Sequence, residues 1–173
     1  MNATTSPELT AIQRAARRIA SSKICVVEYE PKYLESTLEV AREIHAHSIY
    51  ANMPLNEEKL IRQLSASGNI VPDRWFRLAV HGDEVLGGFY GCILKVFFSD
   101  ETTAKDMGWW VRETARGSAA AILLLAHFEQ WAREAGARKC MLGQSGVENI
   151  DRTRKLFEHC GYKVTGYNTC KEL

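Results

Sequence analysis

The sequence predicts an α/β domain in which a mixed sheet is covered by helices on both faces. Three observations point there. Residues 109 to 143 read as strand, basic small-residue turn, helix and strand, the grammar of a parallel crossover. Residues 75 to 103 hold two apolar runs divided by turn signals, as antiparallel hairpins do. Helical periodicities stand both before the hairpins and after the crossover, enough to cover two faces.

Composition narrows the function. Apolar residues make up 46% of the 173 positions, which suffices for one core without disulfide staples. The 22 basic and 21 acidic residues leave a formal charge of +1, so no global field draws the chain to nucleic acid or to an anionic membrane. Five cysteines without C-x-x-C spacing suit a reducing compartment and make no structural zinc pattern. No apolar run reaches the length of a membrane span or a signal segment, so a cytoplasmic setting is expected.

The elements follow in order. Residues 1 to 23 form an N-terminal extension, with Leu9, Ile12, Ala16 and Ile19 at helical spacing beside three arginines; residues 24 to 173 form the main domain. A Val/Ile-rich strand is expected over 24 to 30. Pro31 opens a helix to about Ala46 whose buried stripe is Leu34, Leu38, Ala41 and Ile44. Asn56 caps a second helix that runs to about Ser67. Strands are expected over 75 to 81 and 85 to 98, with Gly87-Gly88 marking a bulge or a close backbone approach. The next strand ends at Val111, and a helix from about Ser118 to Ala135 stops at Gly136. A strand near Met141, a helix capped by Asp151 and stopped by Gly161, and a closing strand over 162 to 169 complete the order βααβββαβαβ.

The turn Arg116-Gly117-Ser118-Ala119-Ala120-Ala121 carries the chemistry. Its residues are small, so helix N-terminal amides without internal partners can approach a phosphate, with Arg112 or Arg116 beside them. The same small residues also suit tight helix–sheet packing, and composition alone leaves both readings standing. No Gly-Lys-Ser/Thr and no Gly-x-Gly-x-x-Gly occurs, which removes a P-loop and a dinucleotide fingerprint.

These residues resemble the GCN5-related N-acetyltransferase (GNAT) family. Its signature is Arg or Gln, two residues, Gly, one residue, then Gly or Ala, and Ala119 stands where the first glycine is usual. Phe128-Glu129-Gln130-Trp131-Ala132 resembles the middle of the family's CoA helix, and Leu156-Phe157-Glu158-His159-Cys160-Gly161-Tyr162 resembles its C-terminal motif. The resemblance spans about residues 24 to 170, and its flavour is that of compact acetyltransferases from bacteriophage genomes.

The resemblance implies a GNAT-like acyl-CoA N-acyltransferase fold whose sheet splays between the strands flanking the loop. It implies acetyl-CoA as cosubstrate, no metal, and direct attack of an amine on the thioester. The cofactor would meet Trp110, Val111, Arg112, Arg116, Gly117, Ser118, Ala119, Ala120, Ala121, Asn149 and Arg154. Asp106 beside the gap and Glu113 at the strand–loop junction are candidate bases, with His45 and His47 in reserve. Phe157 occupies the place of the family's proton-donating tyrosine, so Tyr162 becomes the candidate acid, with Tyr167, Cys160 or water as the other possible substitutes. The acceptor is a small amine or a protein amine, and a homodimer through the first arm or the closing strands fits the pattern. The alternative is a non-catalytic acyl-CoA-binding or protein-interaction module on the same fold.

Overall fold

A computed structural model describes residues 23–66, 73–143, 150–166 and 169–171. The expected N-terminal helix, the loop fenced by Gly68 and Pro72, Asn149 and Tyr167 lie outside the described residues.

The strands are β1 (Cys25–Val27), β2 (Arg74–His81), β3 (Glu84–Lys95), β4 (Thr102–Val111) and β5 (Lys139–Met141). The helices are α1 (Leu34–Ala46), α2 (Glu57–Ala66), α3 (Ala120–Glu134) and α4 (Ile150–His159). The strands form one sheet in the order β1-β2-β3-β4-β5. Its first three pairings are antiparallel, and only β4–β5, joined through α3, is parallel. The mixed sheet is as expected.

Alternation along β2 divides the core. Phe76, Leu78 and Val80 face one way and pack with Tyr33, Val40 and Leu64 from the α1/α2 side. Trp75 and Ala79 face the other way and pack with Leu124, Leu125 and Phe128 of α3. Phe89 and Phe128 stack with centroids 4.3 Å apart at the centre of that second layer. Burying such a ring stabilises by roughly 1.5–3 kcal/mol, so the α3 layer holds much of the fold's apolar driving force.

Local signals set most boundaries. The Asn56 side chain accepts the Lys59 amide at 2.8 Å and caps α2. α3 and α4 both end in paired bonds, Ala137 N–H to Ala132 and Gly136 N–H to Arg133, then Tyr162 N–H to Phe157 and Gly161 N–H to Glu158. Gly136 and Gly161 occupy the left-handed position, with φ of 76° and 88°.

Several expectations need correction. The return strand expected over 85 to 98 ends sooner, at Lys95, and Phe97 and Phe98 lie exposed in the turn to β4. The first strand shrinks to three residues, since only Cys25, Val26 and Val27 find partners on β2. The α1 stripe is rotated: Thr37 and Val40 are buried beside Leu38, while Ala41 is half-buried. Residues 162 to 166 form no strand. Lys163, Val164, Thr165 and Gly166 are all exposed, so the segment has no apolar face to bury once Tyr162 is docked.

Candidate active site

The site is organised by β4. Glycines on its neighbour let aromatic rings lie flat against the sheet: a Cβ on Gly88 would meet Trp110 Cζ2 at 2.8 Å. A Cβ on Gly87 would meet the Trp110 carbonyl oxygen at 2.4 Å. Gly87-Gly88 thus marks a close approach, while the bulge falls one residue earlier, where the register opposite β2 skips Leu86. β4 carries its own bulge, for Gly108 stands opposite Tyr90 and Asp106 opposite Gly91, leaving Met107 without an opposite number.

On its other edge β4 pairs with β5 only through Thr103↔Lys139, Ala104↔Cys140 and Lys105↔Met141. From Asp106 to Val111 no described residue pairs with β4 on this edge, the last pair being Lys105↔Met141. Where the pairing ends, Asp106 Oδ1 accepts the Gly143 N–H at 2.9 Å. Asp106 lies opposite Gly91, whose missing Cβ would touch Phe128, so its side chain is on the α3 face of the sheet. Burial raises the Asp106 carboxyl above its ordinary range, and the Gly143 amide partly opposes that rise.

The turn beyond β4 is tied back to α1. The Arg112 amide donates to Leu86 O at 2.8 Å. The Arg112 guanidinium, only 15% exposed, reaches Glu84 at 2.6 Å and Glu39 at 3.5 Å. Glu43 Oε1 accepts the Glu113 N–H at 2.7 Å. Arg112 is thus a clamp on the turn, already shared by two carboxylates, whereas Arg116 is more open and pairs loosely with Glu113 at 3.7 Å.

Gly117 then turns the chain with φ of 88°, a conformation that other residues adopt only with strain. Ser118 Oγ accepts the Ala120 N–H at 3.3 Å. The first intrahelical bond of α3 is Leu123 N–H to Ala119 O, so the Ala121 and Ile122 amides belong to the unpartnered first turn. Ala119 and Ala120 are buried against the sheet and Ala121 is half-buried. The burial of Ala119 and Ala120 agrees with the packing reading of the small-residue turn, and the first-turn amides of α3 begin beside it.

A basic residue missed by the sequence reading completes this corner. Arg152 Nη2 lies 3.6 Å from where a Cβ on Gly117 would be. Arg154, the residue expected there, is turned along its own helix to Glu158 at 2.8 Å and Asp151 at 3.6 Å. A signal was present: Arg154 has an acid four residues on, whereas Arg152 has Leu156 there.

The remaining candidates are dispersed. Trp110 stacks on Phe76 on the α1 face, while Val111 and Trp109 pack toward α3. Glu113 is exposed. Phe157 stacks on Trp109 at 5.5 Å and leans on Tyr162 at 6.0 Å, completing an aromatic column under α4. Tyr162 is largely buried; burial first, then the Glu129 charge, hold its phenol protonated well above the usual range. Cys140 and Cys160, both pushed up to about 11 by burial, are inert thiols. His47 Nδ1 lies 2.8 Å from the Glu43 carbonyl. Among the described residues no group of His, Cys, Asp or Glu is placed to hold a metal, and no helix is long and apolar enough to cross a membrane.

The profile of the acetyltransferase (GNAT) family matches residues 45–162, a span that contains α2, β4, β5, the turn and α4. The chain belongs to the GNAT acetyltransferase family. Solved structures share this GNAT fold at low identity. A transcriptional regulator from Bacillus halodurans aligns with a TM-score of 0.70 and 13% identity, over 87% of this chain and 99% of its own. Glucosamine-6-phosphate N-acetyltransferase from Arabidopsis thaliana aligns at 0.66 and 12%, over 86% and 97%. AAC(6')-Iy in complex with the bisubstrate analogue CoA-S-monomethyl-acetylneamine aligns at 0.68 and 14%, over 88% and 99%. No curated protein matches the GNAT chain in sequence.

Proposed function

We propose that the protein is an acetyl-CoA-dependent N-acetyltransferase that moves the acetyl group to an amine by direct attack on the thioester. The observation that carries this reading is the early end of β4–β5 pairing beside the small-residue turn. A parted parallel pair offers main-chain N–H and C=O groups to a pseudopeptide such as pantetheine. The turn that follows offers the first-turn amides of α3, with Arg116 and Arg152 beside them, to a pyrophosphate. Family membership and the CoA-linked analogue in the AAC(6')-Iy structure support the same ligand.

In this reading a neutral amine adds to the thioester carbonyl. The tetrahedral adduct collapses with loss of the thiolate, and the amine's proton passes to water or a carboxylate. Phe157 has no proton to give, and a thiolate is a weak enough base to leave without one, since a thiol's pKa is about 8.5. The acceptor is a small amine or a protein amine such as a lysine. Met53 and Tyr50, exposed between α1 and α2, suit an acceptor with apolar surface.

The test is an acceptor screen. Free thiol is followed while the protein and acetyl-CoA meet panels of amines, amino acids, aminoglycosides, peptides and cell lysate. Acceptor-dependent thiol release with an acetylated product by mass spectrometry is expected. Tight CoA binding without acetylated product from any panel would replace this reading with that of a binding module.

A further inference from the structure

We infer that Asp106 is a positioning residue that keeps β4 and β5 apart, its carboxylate taking the Gly143 amide where the parallel pairing ends. This rests on the acetyl-CoA reading above and assigns the residue a role other than that of the base suggested by the sequence.

The argument is one of register. Lys105 stands opposite Met141, so continued pairing would set Gly143 opposite Met107. A ladder at that point would join main chain to main chain. Instead the Gly143 N–H ends on a side-chain oxygen of Asp106, at 2.9 Å. A side-chain oxygen thus takes the amide that a β4 carbonyl would take in a ladder, and Gly143 is engaged by β4 without entering the ladder. Met107, the residue Gly143 would have faced, is the bulged residue of β4, so the bulge and the parting coincide.

The placement also explains why a costly residue sits here. Asp106 is on the face covered by α3, and nearby Lys105 only weakly favours its charge. A carboxylate so buried is tolerated when an amide satisfies it. Removal of the side chain would free the Gly143 amide to pair with the β4 main chain, closing the edge a pantetheine arm would use. Asparagine keeps an acceptor oxygen at the same reach and loses only the charge.

The experiment compares Asp106→Asn, Asp106→Ser and Asp106→Ala by calorimetric titration with acetyl-CoA and with adenosine 3′,5′-bisphosphate, which lacks the pantetheine arm. Asp106→Ala and Asp106→Ser are expected to weaken acetyl-CoA about tenfold, the loss typical of one buried hydrogen bond, and to leave the bisphosphate unchanged. Asp106→Asn is expected to keep both affinities and turnover within about twofold, and to keep the Gly143 amide protected from hydrogen exchange. Unchanged acetyl-CoA affinity in Asp106→Ser, or an exchanging Gly143 amide in the wild type, overturns the proposal. A turnover loss of about 100-fold in Asp106→Asn with intact affinity also overturns it and makes Asp106 a base. Should Asp106→Ala not fold, Asp106→Ser and the amide measurement decide. Wild type that binds neither ligand refutes the acetyl-CoA reading instead, a separate result.

Discussion

At the scale of single residues, glycines decide how closely β3 and β4 approach. Gly87 faces a backbone carbonyl that cannot yield, whereas Gly82, at φ of 61°, has open space around its missing Cβ. Gly87→Ala is therefore expected to cost about 3 kcal/mol through overpacking, and Gly82→Ala about 1 kcal/mol through backbone strain alone. Urea denaturation of the two variants checks the order; equal losses would refute the close-approach argument. The sequence showed that Gly87-Gly88 was a special place. It did not show that Trp110 was the reason, because the contact joins residues on different strands.

At the scale of elements, the turn and the starts of two helices form the basic corner. Arg116 and Arg152 come to it from different elements, and Arg112 holds the turn in place from behind. Arg152→Glu is expected to weaken acetyl-CoA by at least about tenfold, since a repelling charge replaces a favourable one beside the helix dipole. Arg154→Glu, whose parent residue is engaged by Glu158, is expected to change affinity less than about threefold. Calorimetric titration of both at low and moderate salt distinguishes them; equal effects would show that the corner is not formed by Arg152. Helix ends were legible in the sequence because Asn56, Gly136 and Gly161 act on neighbours within a turn. The closing strand was not, because a strand needs a partner edge and residues 163 to 166 have no face to bury. Asp106 was legible as a residue of β4, while its partner Gly143, 37 positions away, was not.

At the scale of the whole molecule, ligand binding and folding are linked. A ligand that binds only the native chain stabilises it by about 2.7 kcal/mol at one hundred times its Kd. For a domain of this size that corresponds to roughly 5 to 10 °C in Tm. Acetyl-CoA is expected to produce such a rise, and Arg116→Glu to remove most of it while its own Tm without ligand stays near wild type. An equal rise in the variant would exclude the turn as the phosphate site. The two-layer core also carries a spectroscopic consequence. All 4 tryptophans belong to it, with Trp75, Trp109 and Trp131 on the α3 side of the sheet and Trp110 alone on the α1 side. Trp109 and Trp110 are adjacent on the strand whose free edge faces the gap, so the protein contains a fluorophore on each side of that strand. Trp110→Phe would silence the α1 side, whereas Trp109→Phe would remove only the α3-side ring on β4 and leave Trp75 and Trp131 emitting, so comparing the two variants would tell which face of β4 changes its surroundings when the edge is filled.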